Sequence, residues 1–175
     1  LIVRKKKVYL SKGNYNIFRI RYIKKILTQS NFIICIRNPY DVVKSSIKTH
    51  ENFIKENKIN KYFGDEMKEL CHFEFGNTRV KIGKEKNNLN EHDYYLSLWN
   101  EIHSLINSKY LELENIHLFD FDKFLMDPIN SIQKLSKVIN LDYNKKVNDF
   151  VELNVKRKIL KNSNIKESNI QDLYE

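Results

Sequence analysis

The chain has 175 residues, of which 41% are hydrophobic and 30% charged, with a formal net charge of +9. That length fits one domain with an adequate core, and the aliphatic and aromatic content is ordinary for a globular protein. No apolar run approaches the roughly 20 residues that span a bilayer, and the first residues read as neither a signal nor a transit peptide.

In chain order, residues 7–11 read as a strand running into the polar turn Lys12-Gly13-Asn14. A helix over 15–28 follows, with Ile17, Ile20, Ile23 and Leu27 on one face and Arg19, Arg21, Lys24 and Lys25 elsewhere. Phe32 to Ile36 is a short apolar run rich in branched residues. It predicts a central parallel strand over 32–37, covered on both faces, with Cys35 as a small core residue. Asn38 can cap a helix and Pro39 suits its first position, so a helix over 39–50 begins at once. Arg37 therefore stands at the carboxyl end of a strand, where open α/β sheets bind ligands. Ser45 lies two turns into the helix. A guanidinium fork near a hydroxyl can clamp a phosphate. The plain alternative is a surface arginine closing a core strand, with Ser45 bonded to its own helix backbone.

Residues 51–90 are too apolar for a linker, with Phe53, Ile54, Tyr62, Phe63, Phe73 and Phe75 among them. A small helical cap and a segment shaping a substrate site both fit. Tyr95, Leu98, Trp99, Ile102, Leu105 and Ile106 recur at helical spacing and predict a core-facing helix over 91–108. A strand over 115–120 follows, then helices over 128–140 and 145–153. Lys156-Arg157-Lys158 reads as a solvated basic end. Strands alternating with helices imply an α/β class, a parallel sheet flanked by helices.

The lysines are spread along the chain among asparagine and isoleucine, and no helix-turn-helix, zinc-finger or RNA-binding signature accompanies them. We expect no nucleic-acid partner. The five histidines form no recognisable ligand set with cysteine or carboxylate, so no metal site is expected. Gly13, Gly64, Gly76 and Gly83 are too dispersed for a phosphate-binding loop.

Arg37-Asn38-Pro39, with Asp41-Val42-Val43 between and Ser45 beyond, resembles the 3'-phosphate-binding segment of sulfotransferases, which use 3'-phosphoadenosine 5'-phosphosulfate as donor. The blocks Lys7–Asn16, Asn115–Phe124 and Ile139–Tyr143 fall in the family's order, and the likeness covers residues 7–48 and 94–145. It implies a P-loop-like sulfotransferase fold, 3'-phosphoadenosine 5'-phosphosulfate as cosubstrate and no metal. Arg37 and Ser45 would hold the 3'-phosphate, and Lys12, at the end of its strand, would be the catalytic lysine, reaching the bridging oxygen or a phosphate; the plain alternative for Lys12 is a surface lysine. Residues 51–90 would shape the acceptor site. The strand and loop that hold the 5'-phosphosulfate in the family are expected upstream of Leu1, making residues 1–175 a single partial domain.

Ser11, Asn14 and Asn16 occupy places where relatives carry a base, so the general base is unassigned; His50, His72 and His92 qualify by type alone. The acceptor, whether carbohydrate, protein, lipid or small molecule, stays open. The sequence also admits a P-loop-type small-molecule kinase and a non-catalytic basic module binding polyanions. A cytoplasmic location is favoured, with the Golgi lumen open, and no membrane contact is expected from these residues.

Overall fold

In the computed structural model, which describes residues 8–60, 62–82 and 86–155, the apolar run forms strand β1 (Phe32–Ile36) and its continuation helix α2 (Pro39–Ile59). Asn38 Oδ1 accepts the backbone N–H of Asp41 at 2.9 Å, and Pro39 stands in the first turn. The helix runs on to Ile59 instead of ending at 50. Nothing between Glu51 and Ile59 is a Gly or Pro that would stop it. Its far half also has packing to gain: Phe53 meets Phe63 and Phe75 at ring separations of 5.3 and 5.8 Å.

The chain divides into two compact units, residues 1–118 and 119–175. The first also holds α1 (Ile20–Ile26), α3 (Phe63–Glu69) and α4 (Glu91–Lys109), and it reaches into β2 (Ile116–Asp120). Phe32 N–H donates to Asn115 O at 2.8 Å, and Asn31 Oδ1 lies 2.9 Å from His117 Nε2. These contacts join the start of one strand to the start of the other. The pair is parallel, with α2, α3 and α4 supplying the crossover such a pair needs. The α/β class follows.

Helix α4 serves two cores. Its Ile106, with Tyr110 just beyond, packs with Ile20 of α1 and Ile34 of β1, while Tyr94 and Tyr95 pack with Val43 of α2. Asn90 starts this helix by accepting the Asp93 N–H at 2.9 Å.

Three expectations need correction. Residues 8–11 form no strand, and Val8, Tyr9 and Leu10 stand exposed. A strand is a pairing, and the sheet among the described residues has two members, β1 and β2. The helix over 15–28 is broken into a 3-10 turn, Asn14–Phe18, and α1, and Leu27 beyond it is exposed. Cys35 is exposed as well. Successive strand residues face opposite ways, and Ile34 takes the core side.

The described part of the second unit holds α5 (Phe121–Met126), which the sequence reading did not foresee, and after it α6 (Pro128–Val138) and α7 (Lys145–Asn154), both close to expectation. Asp127 caps α6, Pro128 is fully buried, and Phe124 meets Phe119 and Phe121. Leu141 N–H reaches back to Ser136 O at 2.8 Å while Asn140 takes a φ of 54°, a left-handed stop that asparagine tolerates. Lys156-Arg157-Lys158 lies outside the described residues. Among the described residues no helix is long and apolar enough to cross a membrane.

Candidate functional site

Arg37 follows directly on β1, and its Nη2 meets Asp41 Oδ2 at 2.8 Å. Asp41 also receives Asn38 Nδ2 at 3.1 Å, so a single carboxylate holds the strand-end arginine and the capping residue. Ser45 lies one further turn along α2, on the face that Asp41 presents. Its residue is exposed, its carbonyl accepts Thr49 Oγ1 at 2.8 Å, and its hydroxyl has no partner among the described residues. The alternative in which Ser45 bonds its own helix backbone is therefore not the arrangement found.

Trp99, expected in the core, is only half-buried and has a polar task. Its Nε1–H donates to Arg37 O at 3.2 Å, pinning the end of β1 to α4. His103 stacks on the indole, with centroids 3.6 Å apart, and its Nδ1 lies 2.9 Å from Trp99 O. That carbonyl accepts, so Nδ1 carries the proton. Burial lowers the His103 pKa against the opposing pull of the Trp99 carbonyl and so favours the neutral ring. The Trp-His spacing of one helical turn was the available signal, but nothing in the sequence links it to Arg37.

Lys12 is exposed, and its positive charge pulls down the Cys35 thiol, which the protein packed around it pushes up more strongly. Cys35 belongs to β1, so Lys12 lies within electrostatic reach of that strand. An open groove of about 600 Å³ along α4, lined between Leu89 and Ser104, includes none of Lys12, Arg37 and Ser45.

The histidines proposed by type divide. His72 and His92 are exposed, whereas His50 is buried and its Nδ1 accepts the Gly76 N–H at 3.0 Å. Its Nε2 faces Glu91 at 3.9 Å. Glu91 in turn takes both arms of the Arg79 fork, one at 2.7 Å, and the other arm also donates to Tyr95 OH at 3.2 Å. The guanidinium lies over the Tyr94 and Tyr95 rings, 5.3 and 5.8 Å from their centroids. Hydrogen bonds from Arg79 hold the Glu91 carboxyl below its ordinary range. This network fastens residues 72–82 to α2 and α4. His50 is part of it and is not a free base.

Burial first, and the Arg79 charge second, lower the His50 pKa from its ordinary 6.5. The unfolded chain therefore binds the extra proton first, and stability is lost as pH falls through about 6.5 toward the folded value. We expect the urea midpoint to drop between pH 7.5 and 5.5, and to drop less in His50→Asn, which keeps an acceptor but does not titrate. Equal pH dependence in the two proteins would remove His50 from this role. Among the described residues no group of three His, Cys, Asp or Glu is arranged to hold a metal ion.

The family model described as the sulfotransferase domain matches residues 21–173. Among curated proteins and among solved structures, none matches. Lys12 falls before the matched span, while β1, Arg37, the capped start of α2, Ser45 and β2 all fall inside it. Since that match takes in most of the chain, the chain belongs to the sulfotransferase family and is a transferase.

Proposed function

We propose that the chain moves a sulfuryl group from 3'-phosphoadenosine 5'-phosphosulfate to a hydroxyl or amine acceptor. Arg37 and Ser45 hold the donor's 3'-phosphate, and Lys12 acts on the transferring group. One observation carries this reading: Arg37 leaves the carboxyl end of β1 held by Asp41, and Ser45, one helical turn beyond Asp41, is exposed. Fork and hydroxyl together suit a phosphate.

In the transfer, the sulfur–oxygen bond to the donor's phosphate breaks as sulfur joins the acceptor oxygen or nitrogen, whose proton passes to a base. Negative charge gathers on the leaving phosphate, where an ammonium at Lys12 offsets it. Fixing the nucleotide by its 3'-phosphate keeps the sulfur aligned for the acceptor.

Calorimetric titration with adenosine 3',5'-bisphosphate, against adenosine 5'-monophosphate as the partner lacking a 3'-phosphate, tests the clamp. Clear preference for the bisphosphate is expected; equal affinity for both sinks it. In turnover, Lys12→Ala should lower kcat far more than it raises the KM for donor. Lost affinity with intact kcat would make Lys12 a binding residue only.

A further inference from the structure

We propose that the outward face of α1 docks on a bilayer carrying anionic headgroups. Lysines occur throughout the chain, but the carboxylates that balance them do not. Residues 1–50 hold 12 of the 31 Lys and Arg and one of the 22 Asp and Glu, leaving 19 basic against 21 acidic side chains in the remainder. All the excess positive charge thus belongs to the first 50 residues. Their one acid, Asp41, is paired with Arg37.

Among the described residues, Lys12, Arg19, Arg21, Lys24 and Lys25 form no ion pair. Arg21 and Lys24 donate instead to the carbonyls of Lys109 and Glu114, at 3.3 and 2.8 Å. Those bonds and the buried Ile20 seat the inner side of α1 and leave its charges unneutralised.

The outer side is apolar. Tyr22 and Ile26, one turn apart, are 67% and 61% exposed, and Phe18 and Leu27 at the two ends are 47% and 52% exposed. Arg19 and Lys25 stand three residues to either side of Tyr22, beside it on the helical surface. A nucleic acid is satisfied by the charges and leaves the apolar stripe without a task. A lipid surface uses both: a tyrosine ring sits at headgroup level, Ile26 and Leu27 enter the acyl boundary, and the basic side chains meet lipid phosphates. At seven residues α1 is far too short to span the bilayer, so it lies in the interface. This departs from the expectation of no membrane contact, which weighed the lack of a long apolar run, a mark of spanning and not of docking.

Sedimentation with phosphatidylcholine vesicles, with and without phosphatidylserine, tests the proposal on the 175-residue chain. Binding is expected only when phosphatidylserine is present. Replacing Tyr22 and Ile26 together by serine should weaken it about tenfold or more, with every charge intact. Arg19→Gln and Lys25→Gln should each weaken it roughly fivefold. All four positions are exposed, and unchanged thermal unfolding would verify that the variants fold. Three outcomes overturn the proposal: no binding to either vesicle, vesicle binding indifferent to the double serine variant while duplex DNA binds as tightly, or self-association without lipid that Ile26→Ser abolishes. The last would assign the stripe to a second copy of the chain. None of these substitutions touches Arg37, Ser45 or Lys12, so the result stands apart from that of the transfer reading.

Discussion

Arg37→Ala is expected to weaken binding of adenosine 3',5'-bisphosphate by roughly 1.5–3 kcal/mol, the scale of a charge-assisted hydrogen bond. The size follows from geometry as well as charge. Asp41 holds the guanidinium at 2.8 Å, and Trp99 holds the carbonyl of the same residue at 3.2 Å, so the fork is organised before any ligand arrives. Little side-chain entropy remains to be lost on binding. Arg37→Lys keeps the charge but not the planar fork and should recover only part of the affinity. Ser45→Ala removes one neutral hydroxyl and should cost about 1 kcal/mol. Calorimetry settles the matter: unchanged affinity for Arg37→Ala would end the assignment of the clamp.

The largest loss of stability is expected from Arg79→Ala, roughly 3 kcal/mol, at the lower end for breaking a buried ion pair. The lower end applies because the Arg79 side chain is 11% exposed but that of Glu91 is 38% exposed, so water partly relieves the abandoned carboxylate. The substitution removes a two-armed pairing, a bond to Tyr95 OH and two ring contacts at once. Glu91→Gln, which retains acceptor and donor atoms, should cost less. Gly76→Ala strikes the same segment through the backbone. Gly76 has a φ of +75°, and an added Cβ would come within 2.9 Å of Phe53 Cβ. Urea unfolding of Arg79→Ala with a change below about 1 kcal/mol would show that the network decorates the fold without holding it.

What could be read ahead of the structure was local. The turn from β1 into α2 announced itself because strand run, cap and proline are neighbours in sequence. Helices α4, α6 and α7 and strand β2 ended within a residue or two of their expected bounds, since each carries its own apolar period or capping residue. The errors arose where the outcome depends on a distant partner. Val8, Tyr9 and Leu10 suit a strand by type, but β1 pairs with β2, some eighty residues onward. Cys35 belonged to an apolar run whose neighbour Ile34 claimed the core side. Within the candidate site, the places of Arg37 after β1 and of Ser45 on α2 were legible, because both are local. The indole bond from Trp99 to Arg37 O, spanning 62 positions, and the His50 bond to Gly76, spanning 26, were not. Long-range polar pairs leave no periodic trace in a sequence.

Trp99 is the sole tryptophan in the chain, and its N–H rests on the carbonyl of Arg37, the arginine proposed for the clamp. The protein thus carries a built-in optical probe at the strand end. If Arg37 captures the nucleotide as proposed, a shift of its carbonyl by a fraction of an ångström would alter the indole's polar contact, and the emission wavelength should move with it. The stacked His103 supplies a second channel, since a protonated imidazole quenches an excited indole far better than a neutral one. Intensity measured against pH would then follow the ring's protonation, while wavelength measured against nucleotide would follow occupancy. The two signals are separable in one unlabelled sample.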